Sequence, residues 1–374
     1  MSSKLELGII GCGSWVQLAH LPAIKDDSLT NIVACADTSE PVGRAVQSRY
    51  GIPKFYTDYK EMIARENPDI VLVAIPHRFH ASASKFALES GSAVVVEKPM
   101  ATTLNEAIEL AELSRAKGKL LVVGHELRLN RSIRTARQMV SRGALGNRYF
   151  SKALHLRRRG IPSGPTFLKR ELAGGGAVFD IGSHSIDAML FMQDFPKPRS
   201  VYGKVRSVFA SRMDMRSDYP SEAAGFKEAS EVDDFGTGLI EFEDSSSLYL
   251  ETSWASYISE DKHDFTLLGD AGGLHIEEDS VRFVSSAATQ FFMSNILLAG
   301  HPWQNLTAEY KEYWRLIKKA LRNGEDIAPE PLCTAGQGVY GMSIMEAIYR
   351  SSDRGSIQEI SLPESVSPEY STES

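Results

Sequence analysis

Between residues 5 and 125 the apolar positions fall in short unbroken runs, and between the runs apolar residues recur every three or four places. The runs are Leu5–Gly11 (LELGIIG), Thr30–Asp37 (TNIVACAD), Asp69–Pro76 (DIVLVAIP), Ser92–Pro99 (SAVVVEKP) and Lys119–His125 (KLLVVGH). Continuous apolar runs bounded by turn residues suit strands buried on both faces, as in a parallel sheet. The intervening helical patterns end at Gly51, at Asn67 before Pro68, at Gly91 and at Gly118, the stop signals of helices. Strands alternating with helices of this length predict right-handed βαβ units and an N-terminal doubly wound parallel sheet over residues 1–125.

Past residue 125 the pattern changes. SVYGKVRSVFA, DFGTGLIEFEDSSSLYLETSWAS and DFTLLGDAGGLHI alternate or break at Asp, Ser and Gly turns, with a hairpin turn at Glu243–Ser246. Residues 215–234 are polar and small, an expected exposed loop. LTAEYKEYWRLIKKALRNG reads as an amphipathic helix whose Tyr310, Tyr313, Trp314, Ile317 and Leu321 form a core stripe. GQGVYGMSIMEAIYRSSDRG reads as a closing helix, and residues 362–374 as a mobile tail. The expected organisation is an α/β protein, with 126–361 a second α/β domain carrying a larger sheet.

Composition narrows the function classes. The chain has 374 residues, more than one ordinary core accommodates, with 43% hydrophobic and 24% charged residues. A net charge of -7 argues against a nucleic-acid partner. Cys12, Cys35 and Cys333 are widely spaced and odd in number, which gives neither a disulfide framework nor zinc spacing and suits a reducing cytoplasm. No long apolar segment precedes the first glycines, so a signal peptide is not expected, and Ile70–Pro76 is too short to span a bilayer.

The first strand runs into GIIGCGSWVQ, with Gly11 and Gly13 as G-x-G and Ser14 and Trp15 opening the next helix. Alone this is a weak signal, equally a tight turn with no ligand. Asp37 closes the second strand about 20 residues on, as a dinucleotide fingerprint requires. Gly13 would let the backbone approach a pyrophosphate at the helix N-terminus. Asp37 can accept hydrogen bonds from ribose hydroxyls and would repel a 2′-phosphate, which favours NAD over NADP; its bland alternative is a solvated turn.

Ligands of open parallel sheets bind beyond the carboxyl ends of the strands. Pro76 and His80 (in PHRFH) and Glu97–Pro99 (EKP) follow such ends, so Pro76, His80, Glu97 and Lys98 are expected along the cofactor. Lys98, held by Pro99, could hydrogen-bond a substrate oxygen and exchange a proton with it. A cap or surface ion pair between Glu97 and Lys98 is the alternative. Further on, Glu171–Gln193 carries three glycines and then Asp180 and His184, four apart and so on one helix face. An aspartate there could orient the imidazole and favour its protonated form. Asp187 reads as a packing or capping acid. His155, His263, His275 and His301 read as structural, and no metal-ligand spacing occurs. HLRRRGIPSGPTF puts Arg157 and Arg159 on one strand face and Arg158 on the other; Arg158 and Arg128 are candidate substrate contacts, with a solvated sheet edge as the alternative to the first.

Together GIIGCG, AIPHRFH, EKP and GGGAVFDIGSHSID resemble the Gfo/Idh/MocA oxidoreductases over roughly residues 5–355. The resemblance implies a Rossmann domain, then an α/β domain with a large, mostly antiparallel open sheet that often meets another subunit, hence a homodimer or homotetramer. It implies NAD(P)-dependent hydride transfer at a secondary carbon of a sugar, sugar derivative or cyclitol, with residues matching Lys98, Asp180 and His184 as the catalytic group. Val16 stands where the family usually has a small residue. Some relatives are glycosidases that retain NAD, and a non-catalytic NAD(P) sensor is a further alternative.

Overall fold

The protein is described from a computed structural model, which covers residues 4–25, 27, 30–217, 228–277, 280–287, 290–296, 306–366 and 368–370. The first five apolar runs each become a strand: β1 (Leu5–Ile10), β2 (Thr30–Ala36), β4 (Ile70–Val73), β5 (Ala93–Glu97) and β6 (Leu121–Gly124), with a three-residue edge strand, β3 (Lys54–Tyr56), that no apolar run announced. Neighbours are parallel in the order β6-β5-β4-β1-β2-β3. Val71, Val73, Val94, Val95 and Val96 are buried on both faces, which explains why their runs are unbroken. Two of the helices between them start on side-chain caps, Asp58 to the Lys60 N–H and Thr103 to the Glu106 N–H, and two stop at left-handed Gly51 and Gly118.

The second sheet contains β7 (Arg148–Leu156), β8 (Pro198–Arg206), β9 (Phe235–Phe242), β10 (Ser247–Ser253), β11 (Lys262–Gly269), β12 (Gly273–Glu277), β13 (Ser280–Ala287) and β14 (Gln290–Ile296). Among the described residues only β7 and β10 of this sheet pair in parallel; the other neighbours are antiparallel. One face packs Ala153, Val201, Ile240, Leu248 and Leu250 in the same core as the helices Ser183–Met192 and Ala335–Arg354, while Tyr202 and Leu239 are exposed.

The distal chain returns to the first sheet. Helix Leu306–Arg322 buries Tyr310, Tyr313, Trp314 and Ile317 against the N-terminal sheet, and β15 (Cys333–Thr334) adds to its edge, antiparallel to β6. A last strand, β16 (Gln358–Glu359), edges the second sheet beside β8. Two expectations change. Within residues 215–234 the described ends are buried at Met215, Arg216, Val232, Asp233 and Asp234, while 218–227 lie outside the described residues, as does His301. The expected free tail packs back: Val366 is buried, the Pro368 carbonyl accepts from Gln337 at 2.7 Å, and the Tyr370 hydroxyl meets Arg128 at 3.4 Å. Among the described residues no helix is long and apolar enough to cross a membrane.

Candidate active site

A cleft of about 720 Å³ opens where the carboxyl ends of β1, β4 and β5 face the second sheet. Beneath it, Gly11 takes φ +97°, and a Cβ there would lie 2.1 Å from the Ala74 carbonyl oxygen, so only glycine makes this turn. Gly13 has no atom within 4 Å of where a Cβ would point. Gly13, Ser14 and Trp15 line the cleft; Gly11 does not. Trp15 donates its indole N–H to the Tyr310 hydroxyl at 3.1 Å. Val16 opens a π-helical turn, Val16–His20, and is buried there in the apolar cluster beside the sheet. Asp37 accepts from the Cys12 N–H at 2.8 Å and from the Ser39 N–H at 2.8 Å, which ties the glycine turn to the end of β2. An open glycine turn beside an anchored carboxylate in the same cleft fits a dinucleotide.

The charged end of β5 has a physical explanation. Glu97 Oε1 lies 2.8 Å from His20 Nε2, and His20 Nδ1 lies 3.2 Å from Trp314 Nε1. An indole N–H only donates, so Nδ1 accepts and Nε2 carries the proton given to Glu97. Burial pushes the Glu97 carboxyl up, but the His20 hydrogen bond and the nearby Lys98 charge hold it below the ordinary value. Gly124 makes room: a Cβ there would stand 2.8 Å from Glu97 Oε1. Lys98 donates from Nζ to Asp180 Oδ1 at 2.8 Å and to the Asp180 carbonyl at 3.0 Å. An ammonium has three donors, so one remains for the cleft. His80 bridges two strand ends, with Nδ1 2.7 Å from the Pro99 carbonyl and Nε2 2.7 Å from that of Ile75. Pro76, His80, Glu97 and Lys98 all line the cleft.

The second domain supplies Asp180 and His184 to the same cleft, but not as partners of each other. Asp180 sits in a π-helical turn, Val178–Gly182, whose extra residue per turn breaks the four-residue alignment expected of an α-helix. Its carboxylate accepts from Lys98 and from the Trp254 indole N–H at 2.9 Å. Burial raises its pKa, yet the Lys98 and Arg157 charges and the two donors bring it to about 2. The nearest acidic atom to His184 Nδ1 is Glu126 Oε1, at 3.6 Å. Burial, then the Lys98 and His125 charges, hold the His184 imidazole well below its ordinary pKa. It is therefore neutral, the reverse of the expected protonated form.

Other placements correct the sequence reading. Arg128 is fully buried away from the cleft, with Nε and Nη2 on the two Asp187 carboxylate oxygens at 2.8 and 2.5 Å and Nη1 on Gln337 at 2.5 Å. It is a structural clamp, and Asp187 is the packing acid expected. Arg158 also misses the cleft: its strand ends at Leu156, and it sits exposed beside Asp261. Arg157 lines the cleft instead. His155 and His263, read as structural, stack at 4.3 Å across β7 and β11 and form part of the cleft wall, as do His77 and Glu126. His275, on β12, does not. His125, Asp187 and Cys333 bring ligand atoms within 4.8 Å of one another, but the Arg128 cation already sits on Asp187.

A Rossmann sheet, a glycine turn with its strand-end acid, and a Lys–Asp pair in the interdomain cleft together define a nicotinamide-dependent oxidoreductase architecture. Residues 5–125 match the oxidoreductase family with NAD-binding Rossmann fold, and residues 133–275 match the GFO/IDH/MocA C-terminal domain. The chain belongs to this GFO/IDH/MocA oxidoreductase family. It is 28% identical over 360 residues to D-glucoside 3-dehydrogenase of Escherichia coli (strain K12), spanning 96% of this chain and 98% of that protein. It is 24% identical over 377 residues to D-apiose dehydrogenase of Paraburkholderia graminis, spanning 98% and 92%. Levoglucosan dehydrogenase, in complex with NADH and levoglucosan, shares the fold with a TM-score of 0.81 at 19% identity, over 96% of this chain and 100% of that one.

Proposed function

We propose that this enzyme transfers a hydride between NAD and a secondary alcohol or ketone carbon of a sugar, sugar derivative or cyclitol. The observation that carries the reading is the convergence of Lys98, Asp180 and His184, from two domains, on the cleft that also holds Gly13 and Asp37. The named activities of the sugar-dehydrogenase relatives support the substrate class.

When bound, the nicotinamide supplies the hydride acceptor or donor. Gly13, Ser14 and Trp15 would receive the pyrophosphate, and Asp37 would accept hydrogen bonds from the ribose hydroxyls; a 2′-phosphate would meet its negative charge. Lys98, oriented by Asp180, gives its remaining N–H to the reacting oxygen. His184, neutral, takes the hydroxyl proton during oxidation and returns it during reduction. The exposed outer face of the second sheet serves a homodimer or homotetramer, and three buried cysteines outside any disulfide suit the cytoplasm.

The test is a panel of cyclitols, aldoses, glycosides and their keto forms, with NAD and NADP offered separately, followed by the absorbance of the reduced nicotinamide. Turnover of at least one polyol or sugar with NAD is expected. Release of an aglycone without added cofactor would select an NAD-retaining glycosidase instead.

A further inference from the structure

Glu126 follows β6 on a short 3-10 turn, Glu126–Leu129, and lines the cleft. Its Oε1 stands 3.6 Å from His184 Nδ1, slightly beyond hydrogen-bond length. Nδ1 of His184 and Oε2 of Glu126 are both buried with no hydrogen-bond partner among the described residues. An unpaired buried polar atom is destabilising, so a small rotation that joins the two groups is favoured. Catalytic hydrogen bonds are commonly long before substrate arrives. The other acid of the motif cannot compete, because the Asp180 carboxylate is held by Lys98 and Trp254.

We infer that Glu126 is the proton partner of His184, a positioning residue whose carboxyl meets Nδ1 and so decides whether Nε2 offers the cleft a lone pair or a proton. This rests on the proposed role of His184 as the acid/base of the site.

The surroundings set the resting state. Glu97 and Lys98 face Glu126 from the end of β5, and Glu309, Tyr310 and Tyr313 from helix Leu306–Arg322. Burial, then the negative charge of Glu97, push the Glu126 carboxyl up to about 8. Around His184, Lys98 and the imidazoles of His125, His155 and His263 all oppose a positive ring. At neutral pH the pair therefore rests as a carboxylic acid beside a neutral imidazole. Donation from the acid to Nδ1 leaves the ring proton on Nε2, ready for a carbonyl oxygen. Loss of the acid proton moves the ring proton to Nδ1 and frees the Nε2 lone pair.

In oxidation the substrate C–H electron pair leaves as hydride to the oxidised nicotinamide, and the C=O bond forms. The hydroxyl proton goes to His184 Nε2 while the Nδ1 proton passes to the Glu126 carboxylate. Reduction runs the same transfers backwards. Oxidation thus needs Glu126 ionised, and reduction needs it protonated.

Two measurements test the pairing. The first is 15N NMR of the histidine rings in the cofactor-free protein between pH 6 and 10. The His184 ring proton should move from Nε2 to Nδ1 as Glu126 ionises, and Glu126→Gln should abolish that movement. A His184 tautomer that ignores pH in the unaltered protein, or the same transition surviving in Glu126→Gln, overturns the inference. The second is the pH profile of kcat/KM for oxidation. Glu126→Gln should lower it on the order of 100-fold and remove the inflection near pH 8; an inflection retained at a rate within about twofold of the unaltered enzyme also overturns it. If the NMR transition is present and no sugar or polyol turns over, the pairing stands and the proposed function falls.

Discussion

The two walls of the cleft differ in how far their polar groups are already satisfied. On the cofactor side Asp37, Trp15, His80 and Glu97 each have partners at ordinary hydrogen-bond lengths. On the facing side the imidazole nitrogens His184 Nδ1 and His155 Nδ1 have none among the described residues, and neither does Glu126 Oε2 on the turn after β6. Buried polar groups are normally paired, so the chain's own contacts hold the cofactor side more firmly than the groups around His184. Lys98 and Asp180 join the two walls.

The largest expected effect strikes that junction. Lys98→Ala and His184→Ala should each lower turnover by about 10²–10⁴-fold, while NAD affinity by isothermal titration stays within about threefold. Near-normal rates in either variant remove that residue from the chemistry. Next comes Arg128→Met, which leaves Asp187 buried without its cation and should destabilise folding by ~3–5 kcal/mol. Denaturant unfolding checks this, and an unchanged midpoint would contradict the clamp. On the cofactor side, Asp37→Ala should weaken NAD binding by about tenfold or more and NADP binding less. Equal losses would show that Asp37 acts only by holding the glycine turn.

Three buried imidazoles also carry a pH signature. Burial holds His77 at about 3 and His125 and His263 at about 4. Unfolding raises these toward the ordinary value of about 6.5, so the unfolded chain binds the extra protons in between. Stability should be full above pH 6.5 and fall as pH drops toward 4. Glu126 has the opposite sign: its folded pKa lies above its unfolded value, so its contribution is lost as pH rises from about 4.5 to 8. Glu126→Gln should therefore raise the melting temperature at pH 9 but not at pH 4. The smallest effect is expected of Arg158→Ala, with KM within about twofold because its ion pair is solvent-exposed.

Much of the first domain is written in local pattern, because strands buried on both faces leave unbroken apolar runs. The strand ends are less legible: the run Asp69–Pro76 overshoots β4, which stops at Val73, and three-residue β3 leaves no signal. Lys98, Asp180 and His184 are visible as motif residues, yet their pairing is not. A π-helical turn has no mark in residue spacing, so Asp180 was aligned with His184 when it binds Lys98. Strand alternation misassigned the arginines because the strand ends one residue before them. His155, His263 and Glu126 gained their place from β7, β11 and the turn after β6 meeting in space. No periodicity within one segment reports that meeting. The same holds for helix Leu306–Arg322, whose aromatic stripe is plain while its destination, the N-terminal sheet, is a long-range fact.

The most direct measurement is a crystal structure of the ternary complex with NAD and a polyol or sugar that turns over. One substrate oxygen should lie within hydrogen-bond distance of both Lys98 Nζ and His184 Nε2, with its carbon facing the nicotinamide ring. A bound substrate whose reacting oxygen touches neither side chain would contradict the account.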